Sequence, residues 1–210
     1  MTTMTSDADR RCAEWTRWSL RPDCGVADLP DGTLRVECRD ARVCVRDPSD
    51  AARQLVTRMA LGPVAIANVG FETAPARVLE SLGPVAVRSL VASDSGVEIL
   101  SIESTGPGPP PLTVSVPAPD VALRWTGDVA LEPPPSGRPD RLVVDVPRPA
   151  APDGGAGHRV VVTGPALRAV RPFRHTATVA SAARSSGLDE DLVGATAGHL
   201  RAVGALRDAP

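Results

Sequence analysis

The sequence has no lysine and no tyrosine. All 23 of its basic residues are arginine, and its aromatic residues are limited to Phe71, Phe173, Trp15, Trp18 and Trp125. Without lysine there is no phosphate-loop lysine, no Schiff-base lysine and no lysine general base. So few aromatic rings leave no stacking platform for single-stranded nucleic acid. Neither charge sign dominates: 23 cations against 25 anions give a formal net charge of −2, which excludes a globally basic nucleic-acid binder. Long hydrophobic runs are missing too. The longest largely apolar stretch, 63–70, is far too short to span a bilayer. The N-terminus, 1–11, is polar and mixed in charge, unlike a signal peptide. These absences set the expectation of a cytoplasmic chain without a membrane or nucleic-acid partner.

Cysteine is sparse. Cys12, Cys24, Cys38 and Cys44 are separated by 11, 13 and 5 residues, with no CxxC and no histidine nearby, so no metal site is expected. Cys38 and Cys44 could face each other across a hairpin. Reduced thiols are the expectation for a cytoplasmic protein.

Proline and glycine are abundant, and they cluster at 105–111 (TGPGPPP), 133–139 (PPPSGRP) and 147–157 (PRPAAPDGGAG). Such segments exclude helix interiors and central strands. The first lies mid-chain and reads as a linker; the other two read as loops.

Between them, the apolar pattern is regular. Alternation over 26–29, 33–38 and 42–46, with a turn at Pro30-Asp31-Gly32, predicts a three-stranded antiparallel meander. Asp47-Pro48 reads as the N-cap and first-turn proline of a helix carrying Ala52, Leu55, Val56 and Met59, stopped by Gly62-Pro63. A weaker helix is expected over 74–82, and a hairpin from 85–91 and 97–102. In the second half, 121–125 and 129–131 flank a tight turn, 141–146 and 158–163 read as strands, and Gly164-Pro165 opens a short helix. Thr176 or Thr178 caps the next helix. Asp189-Glu190-Asp191 opens the last one, where three carboxylates complement the macrodipole.

The expected fold is therefore α+β: two tandem winged-helix-like units, each a small antiparallel sheet followed by a helical cluster. The first unit and its hairpin occupy 1–104, the linker 105–117 and the second unit 118–210.

The run WSLRPDCGVADLPDGTLRVECRDARVCVRDPSDAARQLVTRMALGP (18–63) resembles the N-terminal region of actinobacterial azoline dehydrogenases of the streptolysin S (SagB) type. The stretch LESLGPVAVRSL (79–90) is similar to their "LG-x-x-VRSL" element, and Ile99-Leu100-Ser101-Ile102 to the "LLS" element that follows. Such regions contain a RiPP recognition element, the winged-helix domain that recognises the precursor in ribosomally made peptide pathways. The second half resembles another copy by layout only. In those dehydrogenases a flavin-binding nitroreductase domain follows, and this chain reaches Pro210 without one. The resemblance implies the recognition part without the catalyst: an accessory subunit, with no cofactor of its own, that presents a precursor's leader peptide to a separate flavin-dependent dehydrogenase or other modifying enzyme.

By resemblance, such a domain takes the leader as an added strand beside the third strand of its sheet, against the third helix. Unpaired edge groups supply affinity in that mode, and pockets for alternate side chains supply specificity. In the second unit the candidate peptide-binding residues are Arg159, Val160, Val161, Val162, Arg168, Arg171, Leu192, Thr196, His199 and Leu200. A second candidate groove uses Arg42, Val43, Cys44, Val45 and Arg46, with the 74–82 helix. Charge favours the former: 154–188 holds no carboxylate but includes Arg159, Arg168, Arg171, Arg174 and Arg184, a patch that would steer an acidic peptide.

Two rivals come from other classes. A winged helix can bind DNA as a transcription regulator, but a recognition helix opening on three carboxylates would repel phosphates. A scaffold subunit of a peptide-modifying complex could dock through Trp15 and Trp18. An enzyme is not expected. His158, His175 and His199 lack metal-site spacing, and no cysteine has a histidine partner in sequence. The glycines at 154–157 precede a strand, where no phosphate cradle forms.

Overall fold

The computed structural model describes residues 11–12, 14–66, 74–92, 96–127, 130–132, 141–147 and 157–210; of 130–132 only the backbone is described. After β1 (Thr16–Leu20) comes the expected meander of β2 (Gly25–Asp28), β3 (Leu34–Glu37) and β4 (Arg42–Val45). It is a separate three-stranded sheet of order β2-β3-β4. Alternation sets its faces: Leu34 and Val36 are buried, whereas Arg35 and Glu37 face outward. The 29–33 turn is closed by Leu29 N–H to Thr33 O and by the Asp31 carboxylate, which accepts from Thr33 N–H at 2.9 Å.

Helix α1 (Asp50–Leu61) follows, but Ser49 is its N-cap, not Asp47. The Ser49 hydroxyl accepts from Ala52 N–H, Asp50 stands in the first turn, and Gly62 N–H closes the C-terminus on Arg58 O. Asp47 instead makes the corner out of β4, with φ of +46°, a conformation its short polar side chain tolerates. After β5 (Val64–Ala65), helix α2 (Ala74–Leu82) buries Ala76, Val78, Leu79 and Leu82. These meet Val56 and Met59 of α1 and Leu34 and Val36 of the meander in one core cluster.

Next come β6 (Ala86–Val91), β7 (Glu98–Ser104), β8 (Ala122–Trp125), β9 (Ala130–Glu132), β10 (Arg141–Val146) and β11 (His158–Thr163). Here the two-unit expectation needs correction. A seven-stranded antiparallel sheet of order β5-β1-β6-β7-β11-β10-β9 runs through both halves, joined where Ser101 of β7 pairs with Val161 of β11. Both faces of β6 and β7 are largely buried, so each needs a neighbour on either side. Alternation gives a strand's faces but not its partners.

The 105–117 segment is likewise not a free linker. Leu112 and Val114 are buried, Pro111 O accepts from Arg88, and Thr105 N–H bonds to Gly157 O. Proline suits such an extended strap because φ is preset and no amide donor needs a partner.

Helix α3 (Gly164–Val170), a 3-10 turn over Arg171–Arg174, β12 (Ala177–Thr178), α4 (Val179–Ser186), α5 (Glu190–Ala202) and β13 (Leu206–Asp208) complete the chain. Thr178 caps α4 in a reciprocal box with Ser181, and Asp189 caps α5. The expected 126–128 turn lies partly outside the described residues, and β8 and β9 do not pair with each other. β8 sits between β12 and β13 in a second small sheet, while β9 pairs with β10. The 193–200 stretch of α5 is buried on every face. That is possible because the helix presents Gly194 and Gly198 to the strap: a Cβ on Gly198 would lie 2.9 Å from Ser115 O. The fold is thus α+β, with several antiparallel sheets and helical segments.

Candidate functional site

β4 is an edge strand. It pairs with β3 from Leu34↔Val45 to Glu37↔Arg42 and has no strand on its other side among the described residues. About half of its backbone N–H and C=O groups therefore point away from β3, the arrangement that accepts an added strand. α2 packs beside this edge. Between them lies an open cleft of about 610 Å³, floored by Val45, Ala52 and Val78 and rimmed by Arg46, Asp47 and Arg77. Among the second-groove residues, Val43 and Val45 lean on the core, whereas Arg42, Cys44 and Arg46 face outward. Arg42 is held by Glu37, with Nε to the carboxylate at 3.1 Å. The N-terminal turn of α1 also lines the cleft, through Pro48, Ser49 and Ala52. Sequence periodicity could not show this contribution, since it depends on how α1 leaves the Asp47 corner.

The other proposed groove is closed. β11 is flanked by β7 and β10, so every backbone group that an added strand would use is already in a ladder. Val160 and Val162 are fully buried and Val161 is half-buried. Thr196, His199 and Leu200 also lie in the interior, and Leu192 packs against the core. α5 packs chiefly on α3, α4 and β13. Arg159 is committed across the strands to Asp145, as a fork at 2.9 and 3.1 Å. Arg168 and Arg171 are exposed, in line with Arg174, on the outer side of α3 and its 3-10 extension. The arginine-rich stretch is a surface feature of this helical region, distinct from the open edge.

The histidine expected to face a peptide instead organises the interior. His199 Nδ1–H donates to Ala195 O at 2.8 Å, and Nε2 accepts from Arg88 Nε at 3.3 Å. Arg88 also donates to Pro111 O at 2.6 Å, and its guanidinium lies 5.4 Å from the Trp18 ring centroid. Burial, reinforced by the Arg88 charge, pushes the His199 pKa down to about 3; burial also lowers that of Arg88 to about 10. A histidine held neutral in this way cannot serve as a base near neutral pH. Trp18 is buried beneath Arg88 and Trp15 packs on the main core, so neither is an exposed docking anchor.

The cysteines also differ from expectation. Cys24 and Cys38 form a disulfide, whereas Cys44, exposed, and Cys12, buried 4.0 Å from His199 Nδ1, belong to no disulfide. The register explains the pairing: Gly25↔Glu37 closes the β2–β3 ladder, so Cys24 and Cys38 are the next cross-strand pair. Cys38 continues the inward face of β3, while Cys44 points outward opposite Arg35. Asp23, Cys24 and Cys38 are the one group of close metal-ligating side chains among the described residues. The sulfurs are joined to each other, and the Asp23 carboxylate takes Arg39 N–H and the Arg21 guanidinium, so this donor set does not fit a cation. No helix among the described residues is long and apolar enough to cross a membrane.

Compared with known proteins, the chain matches no protein-family model and no curated protein, and its functional assignment rests on the β4 edge and the cleft beside it.

Proposed function

We propose that this chain is a non-catalytic peptide-binding subunit, which takes the extended leader of a ribosomally made precursor as a fourth strand on β4 and presents it to a separate modifying enzyme. The observation that carries this reading is the open β4 edge facing the cleft against α2. Main-chain bonds to such an edge give affinity with little sequence demand, and the side chains that enter the cleft add selectivity. The three strands followed by helices α1 and α2 fit the recognition domain implied by the 18–63 resemblance. This moves the expected site from the second half to the first. The second half then acts as support: we read α3-β12-α4-α5-β13, with β8 between β12 and β13, as a permuted winged helix. DNA recognition finds little support there, since the 193–200 stretch of α5 has no free face to enter a groove.

The test is hydrogen exchange on the full chain with a leader peptide encoded beside its gene. Protection is expected at 42–46 and along α2. A peptide methylated on alternate backbone amides should bind at least about tenfold more weakly. Protection confined to 158–163, or unchanged binding by the methylated peptide, would overturn strand addition at β4.

A further inference from the structure

Around the meander, nearly every exposed carboxylate already has an arginine. Asp23 and Asp40 hold Arg21, Asp28 holds Arg53, and Glu37 holds both Arg35 and Arg42. Asp31 is occupied by its own turn, through Thr33 N–H. Arg46 and Arg77 are the exceptions that line the cleft. Both are exposed, and neither makes a salt-bridge contact among the described residues, although the Arg46 charge, after the hydrogen bonds from Thr33, helps to hold the Asp31 carboxyl below its usual range. Asp47 is the single carboxylate among the lining residues, so the rim carries two cations against one anion. Arg46 lies just past the end of β4, and Arg77 stands across the cleft on α2. Between them lie the apolar side chains of Val45, Ala52 and Val78, with the hydroxyls of Ser49 and Ser81 beside them.

These placements constrain an added strand. Its alternate side chains point to one face, roughly 7 Å apart for residues i and i+2. A side chain entering over Val45 and Val78 is favoured if apolar, because the two hydroxyls that line the cleft are engaged by backbone: Ser49 accepts from Ala52 N–H and Ser81 donates to Arg77 O. A neighbouring inward side chain, two positions along, reaches the rim, where a carboxylate would find two guanidiniums that no salt bridge among the described residues holds. Arginine is well suited to such a rim, since its planar fork binds carboxylate in a bidentate manner and stays charged at any working pH.

We propose that Arg46 and Arg77 are the specificity-determining residues of the cleft, selecting an extended peptide that places a carboxylate side chain two positions from an apolar one. This rests on the strand-addition reading and adds to it a chemical class of ligand. Both residues face solvent, so substituting them leaves the core intact, and their role can be reversed as well as removed.

The experiment is peptide display from a random decapeptide library, panned against the immobilised full chain and against Arg46→Glu/Arg77→Glu. The wild type should enrich peptides with Asp or Glu two positions from an aliphatic residue. The doubly reversed variant should enrich Lys or Arg at the same position. Replacing Asp by Asn in a selected peptide should weaken wild-type binding by about fivefold, the scale of a partly screened ion pair. If extended peptides are enriched but their charge preference is absent, or is the same in the variant, this inference fails while strand addition stands. If no peptide is enriched, or if enriched peptides leave the 42–46 amides unprotected from exchange, the strand-addition reading fails with it.

Discussion

Acidification to pH 5 should destabilise this protein through a single interior histidine. His199 is fully buried with both ring nitrogens engaged, and its folded-state pKa is pushed down to about 3, from 6.5 in an open chain. Above pH 6.5 the ring is neutral in both states and the buried arrangement contributes fully. As the pH falls below 6.5 the unfolded chain takes up a proton that the folded chain refuses, so stability declines until the pH nears 3. At 1.36 kcal/mol per unit, the loss from pH 7 to pH 5 is about 2 kcal/mol, and its limit near pH 3 is of order 4–5 kcal/mol. The carboxylates Asp23, Asp31 and Glu37 have lowered pKa values and lose their contributions only in more acidic solution. In the interval from pH 6.5 to 5 these carboxylates are silent, and comparison with a variant at position 199 separates His199 from the half-buried His158 and the exposed His175. Urea unfolding across that interval should show the midpoint falling for the wild type. His199→Gln keeps an acceptor for Arg88 but cannot protonate, so its midpoint should fall less steeply than that of the wild type whatever its absolute stability. If the two proteins show the same pH slope, His199 is not held neutral by burial.

Further outcomes follow from the packing. Gly198→Ala should destabilise by about 1–3 kcal/mol despite the better helix propensity of alanine, because the new Cβ meets the carbonyl of Ser115; Gly194→Ala meets a movable Val116 methyl and should cost less in the same urea titration. Cys24→Ser/Cys38→Ser removes a bridge with a sequence separation of 14, so calorimetry should show a loss of about 2–3 kcal/mol, the size expected for a loop of that length. Thr178→Ala breaks the capping box of α4 and should cost about 1 kcal/mol by chemical denaturation; an effect near zero would mean that the cap is redundant with packing. Asp145→Asn, at an exposed fork with Arg159, should change stability by less than about 1 kcal/mol.

Local order was legible because it depends on near neighbours in the chain. The alternation of Leu34, Val36 and Cys38 against Arg35 and Glu37 fixes one face of β3 wherever that strand packs. Gly62, Gly187, Thr178 and Asp189 mark helix ends because a backbone terminus must be closed locally. The 42–46 edge and the 74–82 helix were readable as one groove, since three strands joined by short turns leave the third at an edge.

What only the tertiary structure decided is which strands are neighbours. Nothing in the period of β7 or β11 says that they pair, yet that pairing makes one sheet of two halves and leaves no edge at Val160–Val162. The proline-rich 105–117 looked like a tether because its residues exclude helix and ladder; only long-range packing makes it a strap over α5 and under Arg88. Arg46 and Arg77 are 31 positions apart in the sequence, and neither stands out by composition. Their common cleft arises from how α2 returns beside β4. Composition and pattern thus determined the elements and their faces. Pairing across the chain, where the hydrogen-bond requirements of buried strands are met, determined which of two plausible grooves remains open.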